Sequence, residues 1–132
     1  MLEEEDAAPE MATAKGRILC TEDDADTRDL LRILLELEGF EVICAQSAEQ
    51  AISLASSKLF VLYLLDNWLP GIAGEDLCRK LREFDTTTPV LFYSGAAHES
   101  DKKSAMAAGA QAYVVKPADP DELISEIRAL IK

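Results

Sequence analysis

The stretch Phe60-Val-Leu-Tyr-Leu-Leu-Asp66 decides the fold, because it runs from uninterrupted apolar residues directly into an acid. The apolar part, Leu59–Leu65, is the longest such run in the chain and falls far short of the ~20 residues that a membrane helix needs. A run of this length and composition is typical of a buried strand. We therefore predict a strand over Leu59–Leu65, with Asp66 at its carboxyl end.

Outward from this run, strand-like segments alternate with segments of helical periodicity. The other predicted strands are Arg17–Thr21, Glu41–Ala45, Pro89–Tyr93 and Ala112–Val115. The predicted helices are Asp26–Glu38, Ala48–Ser57, Gly74–Phe84, Ser100–Ala108 and Pro120–Ile131. Five alternating β–α units predict an α/β fold, a doubly wound five-stranded parallel sheet with helices on both faces. Ligands of such sheets bind outside the carboxyl ends of the strands.

The net charge of −12 argues against a nucleic-acid-binding surface. Residues 1–14 hold five acids and no base, which predicts an acidic disordered tail before a single domain at 15–132. The three cysteines, Cys20, Cys44 and Cys78, fall in apolar stretches and are interpreted as small buried residues in a reducing compartment. We expect a cytoplasmic protein that does not enter a membrane.

Acidic residues follow two of the predicted strands. Glu22-Asp23-Asp24 ends the first strand, and Asp66 ends the third. Carboxylates that converge on one crevice repel each other unless a cation lies between them, and oxygen ligands suit Mg²⁺. The alternative is that the first three acids cap the next helix, which fits Asp24 best. Capping does not explain Asp66.

Ser94 and Lys116 end the fourth and fifth predicted strands. A hydroxyl and an ammonium at this edge fit an anion such as phosphate. Each is weak evidence alone, since a serine after a strand is usually a turn residue and a lysine there is usually solvated. Lys116 is more informative because it precedes a proline, and we expect that peptide bond to be cis.

Four motifs together resemble the receiver domains of two-component response regulators. They are Ile18-Leu-Cys-Thr-Glu-Asp-Asp24, Leu64-Leu-Asp-Asn-Trp-Leu-Pro-Gly71, Pro89-Val-Leu-Phe-Tyr-Ser-Gly95 and Ala110-Gln-Ala-Tyr-Val-Val-Lys-Pro117. The resemblance runs from about Lys15 to the C-terminus. It implies a flavodoxin-like strand order, 2-1-3-4-5.

The resemblance also implies a role for each motif residue. Asp66 would accept the phosphoryl group. Mg²⁺ would be held by Asp66, by Asp23 directly, by Glu22 through water, and by the backbone carbonyl of Trp68.

By the same resemblance, Ser94 would bond a phosphoryl oxygen and Lys116 would pair with the phosphoryl group. Tyr113 would be the aromatic switch residue, turning inward as Ser94 moves. Trp68 and Ala96 would flank the approach of the hydrolytic water.

The expected function is phosphorelay signalling by a stand-alone receiver module. A histidine kinase or histidine phosphotransfer protein would donate the phosphoryl group, and a downstream protein would be the target. One alternative is an aspartyl-nucleophile phosphatase or phosphotransferase. The haloacid-dehalogenase type would require an acid where Trp68 stands. A further alternative is an interaction module that no longer uses phosphorylation, which the intact set of motif residues disfavours.

Overall fold

Five parallel strands form the central sheet in the computed structural model, which describes residues 15–131. They are β1 (Arg17–Thr21), β2 (Glu41–Ala45), β3 (Leu62–Leu65), β6 (Val90–Ser94) and β7 (Ala112–Val115). Two shorter strands, β4 (Trp68–Leu69) and β5 (Ile72–Ala73), form a separate ribbon. The acidic stretch 1–14 lies outside the described residues, so the predicted tail stays a prediction.

Five helices flank the main sheet within residues 15–131: four connect its strands, and the fifth follows the last strand. They are α1 (Ala25–Leu37), α2 (Ala48–Ser57), α3 (Gly74–Arg82), α4 (Glu99–Ala108) and α5 (Pro120–Ile131). None of the helices in the described residues is long and apolar enough to span a membrane.

The strand order is β2-β1-β3-β6-β7, and every neighbouring pair is parallel. This confirms the predicted doubly wound sheet and the flavodoxin-like order. The central strand is shorter than predicted, because it begins at Leu62 and not at Leu59. Leu59 is 89% exposed, so the first apolar residue of the run does not enter the sheet.

Alternating side chains of the strands build one apolar cluster on each face of the sheet. The cluster under α2, α3 and α4 includes Leu19, Tyr63 and Phe92. The cluster under α1 and α5 includes Ile18 and Leu64. Because both faces are covered, the strands carry few polar residues until their carboxyl ends.

The ribbon of β4 and β5 links the central strand to α3 and was not predicted. Its strands are antiparallel, with Leu69 opposite Ile72. Pro70 and Gly71 form the turn between them, and the φ of +78° at Gly71 is the left-handed conformation that glycine adopts most easily. The ribbon therefore returns the chain to the sheet edge where α3 begins.

Gly74 begins α3 in close contact with the end of β3. Its N–H donates to the Asn67 carbonyl at 2.8 Å. A Cβ on Gly74 would approach the Asp66 carbonyl oxygen and the ring of Phe92 at less than 3.0 Å. Only glycine allows this approach, which fixes the backbone just after Asp66.

A polar cluster around Asp85 ties the connection between α3 and β6 to the central strand. The Asp85 carboxylate accepts hydrogen bonds from Tyr63 Oη at 2.7 Å, Thr88 Oγ1 at 2.7 Å and two backbone N–H groups. Burial acts to raise the pKa of Asp85, but the hydrogen bonds from Thr88 and Tyr63 outweigh it and hold that pKa well below its ordinary value. The charged form of Asp85 is therefore part of the folded state.

Candidate functional site

Backbone hydrogen bonds bring the acids of the first and third predicted strands together. The Glu22 N–H donates to the Ala45 carbonyl at 3.1 Å, and the Asp66 N–H donates to the Thr21 carbonyl at 3.2 Å. These bonds extend the ladder of the sheet beyond the ends of β1 and β3. Glu22 and Asp66 are consequently fixed side by side at the carboxyl edge.

Glu22, Asp23 and Asp66 form a carboxylate cluster, with one oxygen from each lying within 4.8 Å of the others. Glu22 is 2% exposed and Asp66 is 5% exposed, whereas Asp23 is open to solvent. Hard oxygen donors, two of them buried, are the ligand set that suits a divalent cation such as Mg²⁺. The three side chains that were predicted from the sequence as metal ligands therefore lie together.

Asp24 does not belong to this cluster. Its side chain accepts hydrogen bonds from the Thr27 N–H at 2.9 Å and from Thr27 Oγ1 at 2.7 Å, which caps the N-terminus of α1. The capping alternative is therefore correct for Asp24 alone.

Lys116 lies between the two buried carboxylates. Its Nζ is 2.9 Å from Glu22 Oε1 and 3.3 Å from Asp66 Oδ2. Burial raises the pKa of Glu22 above its ordinary value, even though Lys116 opposes this. Burial acts to lower the pKa of Lys116, but the hydrogen bond to Glu22 and the charge of Asp66 outweigh it, so that pKa is raised. The ammonium is the countercharge of the cluster.

The backbone of Lys116 is also held in place. Its N–H donates to the Ser94 carbonyl at 2.8 Å, just beyond the paired residues of β6 and β7. The Lys116–Pro117 peptide bond is cis, as expected from the sequence.

Ser94 and Tyr113 belong to a second group of contacts beside the carboxylates. Ser94 is fully buried, and its Oγ accepts a hydrogen bond from the Ala96 N–H at 3.2 Å. Tyr113 Oη donates to the Ala96 carbonyl at 2.7 Å, and its ring stacks on Phe92 with centroids 5.7 Å apart. Tyr113 is therefore tied to the loop after β6 by its hydroxyl group.

Asn67 is a site residue that the sequence did not reveal. It is 4% exposed, and its Nδ2 donates to Tyr113 Oη at 3.3 Å. The residue directly after Asp66 thus contacts the tyrosine on the edge strand β7. A polar residue inside an apolar motif was the one signal available in the sequence.

Trp68 lies at the entrance to the site. Its backbone N–H donates to Asp66 Oδ1 at 3.3 Å, while the residue is 64% exposed. The indole lies against Gly95, since a Cβ on Gly95 would be 3.3 Å from the Trp68 Cζ3 atom. Ala96 is 5% exposed, and both its backbone N–H and its backbone carbonyl are hydrogen-bonded. The ring of Trp68 therefore lies against the start of the loop that carries Ala96.

Residues 18–128 match the family model described as the response regulator receiver domain. The chain belongs to this family. It is 40% identical, over 84% of its length, to an uncharacterised 14.6 kDa protein of Leptolyngbya boryana, of which it covers 86%. It is 32% identical to the transcriptional regulatory protein ResD of Bacillus subtilis over 91% of its own length and 50% of ResD.

A solved receiver structure has the same fold. The response regulator TrrA of Thermotoga maritima, crystallised in complex with Mg²⁺ and BeF, shares 30% identity and a TM-score of 0.80. The match covers 86% of this chain and 97% of TrrA. The chain spans about half the length of the first curated relatives that it matches. As a receiver domain, it is a phosphoacceptor module of two-component signalling.

Proposed function

We propose that this receiver domain accepts a phosphoryl group on Asp66 in a reaction that depends on Mg²⁺. The observation that carries the proposal is the position of the Asp66 carboxylate, buried in the acidic cluster and in contact with the Lys116 ammonium. A relative that binds Mg²⁺ together with BeF, an analogue of a phosphoryl group, supports the same chemistry.

Glu22, Asp23 and Asp66 would hold the ion, with the backbone carbonyl of Trp68 as a further ligand. Asp23 is exposed and free to bind directly, whereas Glu22 is already paired with Lys116, which suits a contact through water. When bound, Mg²⁺ would neutralise the charge on the phosphoryl oxygens.

The protein side chains supply the remaining functions. One Asp66 oxygen attacks phosphorus, and the bond from phosphorus to the donor's leaving group breaks. Lys116 lies 3.3 Å from Asp66 and can pair with the oxygens of the incoming group. Ser94, buried at the end of the next strand, can donate its hydroxyl hydrogen to one of them. The product is an acyl phosphate, which water hydrolyses, so the signal is self-limiting.

The added negative charge would change the contacts of Ser94 and Tyr113. Ser94 Oγ bonds the Ala96 N–H, and Tyr113 Oη bonds the Ala96 carbonyl. A movement of Ser94 toward the phosphoryl group would therefore act on the backbone of Ala96, whose carbonyl accepts the hydrogen bond from Tyr113. This is a switch between two local arrangements, biased by about −1.5 to −2 charges.

The domain would act as a switch that assists its own phosphorylation and dephosphorylation, and not as an enzyme on another substrate. A haloacid-dehalogenase-type phosphatase would place an acid where Trp68 stands. An interaction module without phosphorylation would have no use for a lysine shared by two buried carboxylates.

The proposed phosphodonor is a histidine kinase or a histidine phosphotransfer protein, acting in the cytoplasm. A downstream protein would recognise the switched surface. The excess of acids disfavours direct contact with nucleic acid. The relative ResD is named as a transcriptional regulatory protein, which is compatible with an indirect connection to transcription.

The test is incubation with Mg²⁺ and a small-molecule phosphodonor, followed by intact mass spectrometry. We expect the parent protein to gain one phosphoryl group and the Asp66→Asn variant to gain none. Asp76→Asn is the matched control, because Asp76 is an exposed carboxylate on α3 that pairs with Arg79. A gain of the same size in Asp66→Asn, or none in the parent protein, would refute the proposal.

A further inference from the structure

Cys20 and Cys44 lie side by side in neighbouring strands. They are directly paired in the register of the parallel strands β1 and β2. Neighbouring strands are about 4.8 Å apart, and paired residues point to the same face of the sheet. A disulfide bond spans Cα distances of about 4.4 to 6.8 Å. The two thiols are therefore placed within bridging distance by the sheet itself.

The two cysteines differ in their access to solvent. Cys20 is fully buried in the cluster under α1 and α5, and Cys44 is half-buried at the edge of the same cluster. β2 is an edge strand of the sheet, so a small molecule can approach Cys44 from outside. This arrangement resembles an attacking thiol with a protected partner behind it.

The surroundings of Cys44 favour its thiolate. Hydrogen bonding with Cys20 lowers the pKa of Cys44 to about 7, although burial opposes the change. The positive charges of Arg32 and Arg28 act in the same direction as the hydrogen bond. Thiolates near positive charges are the cysteines that oxidants attack first.

We propose that Cys44 and Cys20 form a peroxide-reactive dithiol. The Cys44 sulfur attacks one peroxide oxygen, the O–O bond breaks, and the departing oxygen leaves as water after taking up a proton. Cys44 is then a sulfenic acid. The Cys20 sulfur attacks the Cys44 sulfur, the S–O bond breaks, and a second water leaves. Two thiols lose two hydrogens, and one peroxide is reduced to two waters.

The resulting bridge would be labile. Side chains that point in parallel from neighbouring strands keep their Cβ atoms farther apart than the ~3.8 Å of a relaxed disulfide, so the bond would be strained. Strained disulfides are readily reduced and are typical of regulatory sites. The bridge would also lie beside the hydrogen bond from Glu22 to Ala45, which positions part of the acidic cluster.

Cys78 provides a control within the same chain. It is buried on α3 in the cluster on the opposite face, and its Sγ lies 3.4 Å from the Ala108 carbonyl. Burial raises its pKa, so both its access and its chemistry disfavour oxidation.

The experiment treats the folded full chain with a small excess of hydrogen peroxide and follows intact mass. We expect the parent protein and Cys78→Ala to lose two hydrogens, to regain them with a dithiol reductant, and to yield a cross-linked peptide containing Cys20 and Cys44. Cys20→Ala should stop at a sulfenic acid on Cys44 that dimedone labels, and Cys44→Ser should stay unoxidised.

The parent protein alone can overturn the proposal, even if a variant fails to fold. Gain of oxygen without loss of hydrogen, a cross-link that involves Cys78, or no change of mass would each do so. Oxidation of folded Cys44→Ser at the rate of the parent protein would show that Cys44 is not the attacking thiol.

Discussion

Replacing Lys116 by methionine keeps most of the side-chain volume and removes the countercharge of the acidic cluster. Two carboxylates at 2.9 and 3.3 Å then lose their partner, and both are buried. Breaking a buried ion pair costs about 3 to 5 kcal/mol. Because the Lys116 side chain is 22% exposed, we expect the low end of that range, about 3 kcal/mol. For a domain of this size the loss lowers the melting temperature by roughly 12 °C.

Mg²⁺ should reverse much of this loss, because a divalent cation supplies the missing positive charge. For a dissociation constant of about 1 mM, ~10 mM Mg²⁺ would stabilise the parent protein by about 1.4 kcal/mol. The variant should gain more than the parent, since no ammonium competes for its carboxylates. Phosphorylation of the variant should nevertheless be largely lost, because Mg²⁺ does not replace the contact of Lys116 with the phosphoryl group.

Thermal unfolding with and without Mg²⁺ measures the loss of stability and its recovery by the metal. Intact mass after exposure to a phosphodonor measures the loss of phosphorylation. Lys103→Met is the matched control, since Lys103 is an exposed residue of α4 away from the cluster. Equal stability of parent and variant without Mg²⁺ would refute the countercharge role. An equal rise in both proteins on adding Mg²⁺ would refute competition between Lys116 and the metal.

Three further predictions concern metal binding, signal lifetime and acid stability. Mg²⁺ should change the fluorescence of Trp68 with a low-millimolar or tighter midpoint, and Asp23→Ala should weaken that response. If Asp23→Ala titrates like the parent protein, the assignment of the metal site is wrong. The double variant Trp68→Asn, Ala96→Glu should hydrolyse its phosphoryl group ~10-fold faster, which corresponds to ~1.4 kcal/mol of barrier. Decay of the phosphorylated protein after donor removal measures this in a folded variant, and decay no faster than in the parent protein would contradict it. Tyr63→Phe should cost about 2 kcal/mol at pH 7 by removing a hydrogen bond to the Asp85 carboxylate. Since the folded-state pKa of Asp85 lies below its ordinary 3.8, this difference should shrink in urea unfolding as the pH falls below about 4.

The order of strands and helices could be predicted because each element has a local pattern of apolar and polar residues. The bounds of β1, β2, β7, α2 and α5 agree with the sequence prediction. Residues at the carboxyl ends of parallel strands must meet at one edge, so Glu22, Asp66 and Lys116 could also be grouped from the sequence.

Contacts that depend on register or on short elements could not be predicted. The pairing of Cys20 with Cys44 follows from the alignment of two strands more than twenty residues apart in the chain, which no local pattern specifies. The ribbon after Asp66 has only two residues in each strand, too few for a period to be recognised. The role of Asn67 could not be predicted either, because its partner Tyr113 is 46 residues away in the chain.

The close approach of Gly74 to Asp66 has a consequence for engineering this domain. A helix transplanted from another protein in place of α3 must bring a glycine at its first position, or the backbone that presents Asp66 will be displaced. Gly71, three residues earlier, has open space beside its Cα, because a Cβ at this position would have no neighbouring atom within 4 Å. A loop or small domain inserted at Gly71 would therefore point into solvent. The best insertion point and the least replaceable residue of this segment are separated by a single short strand.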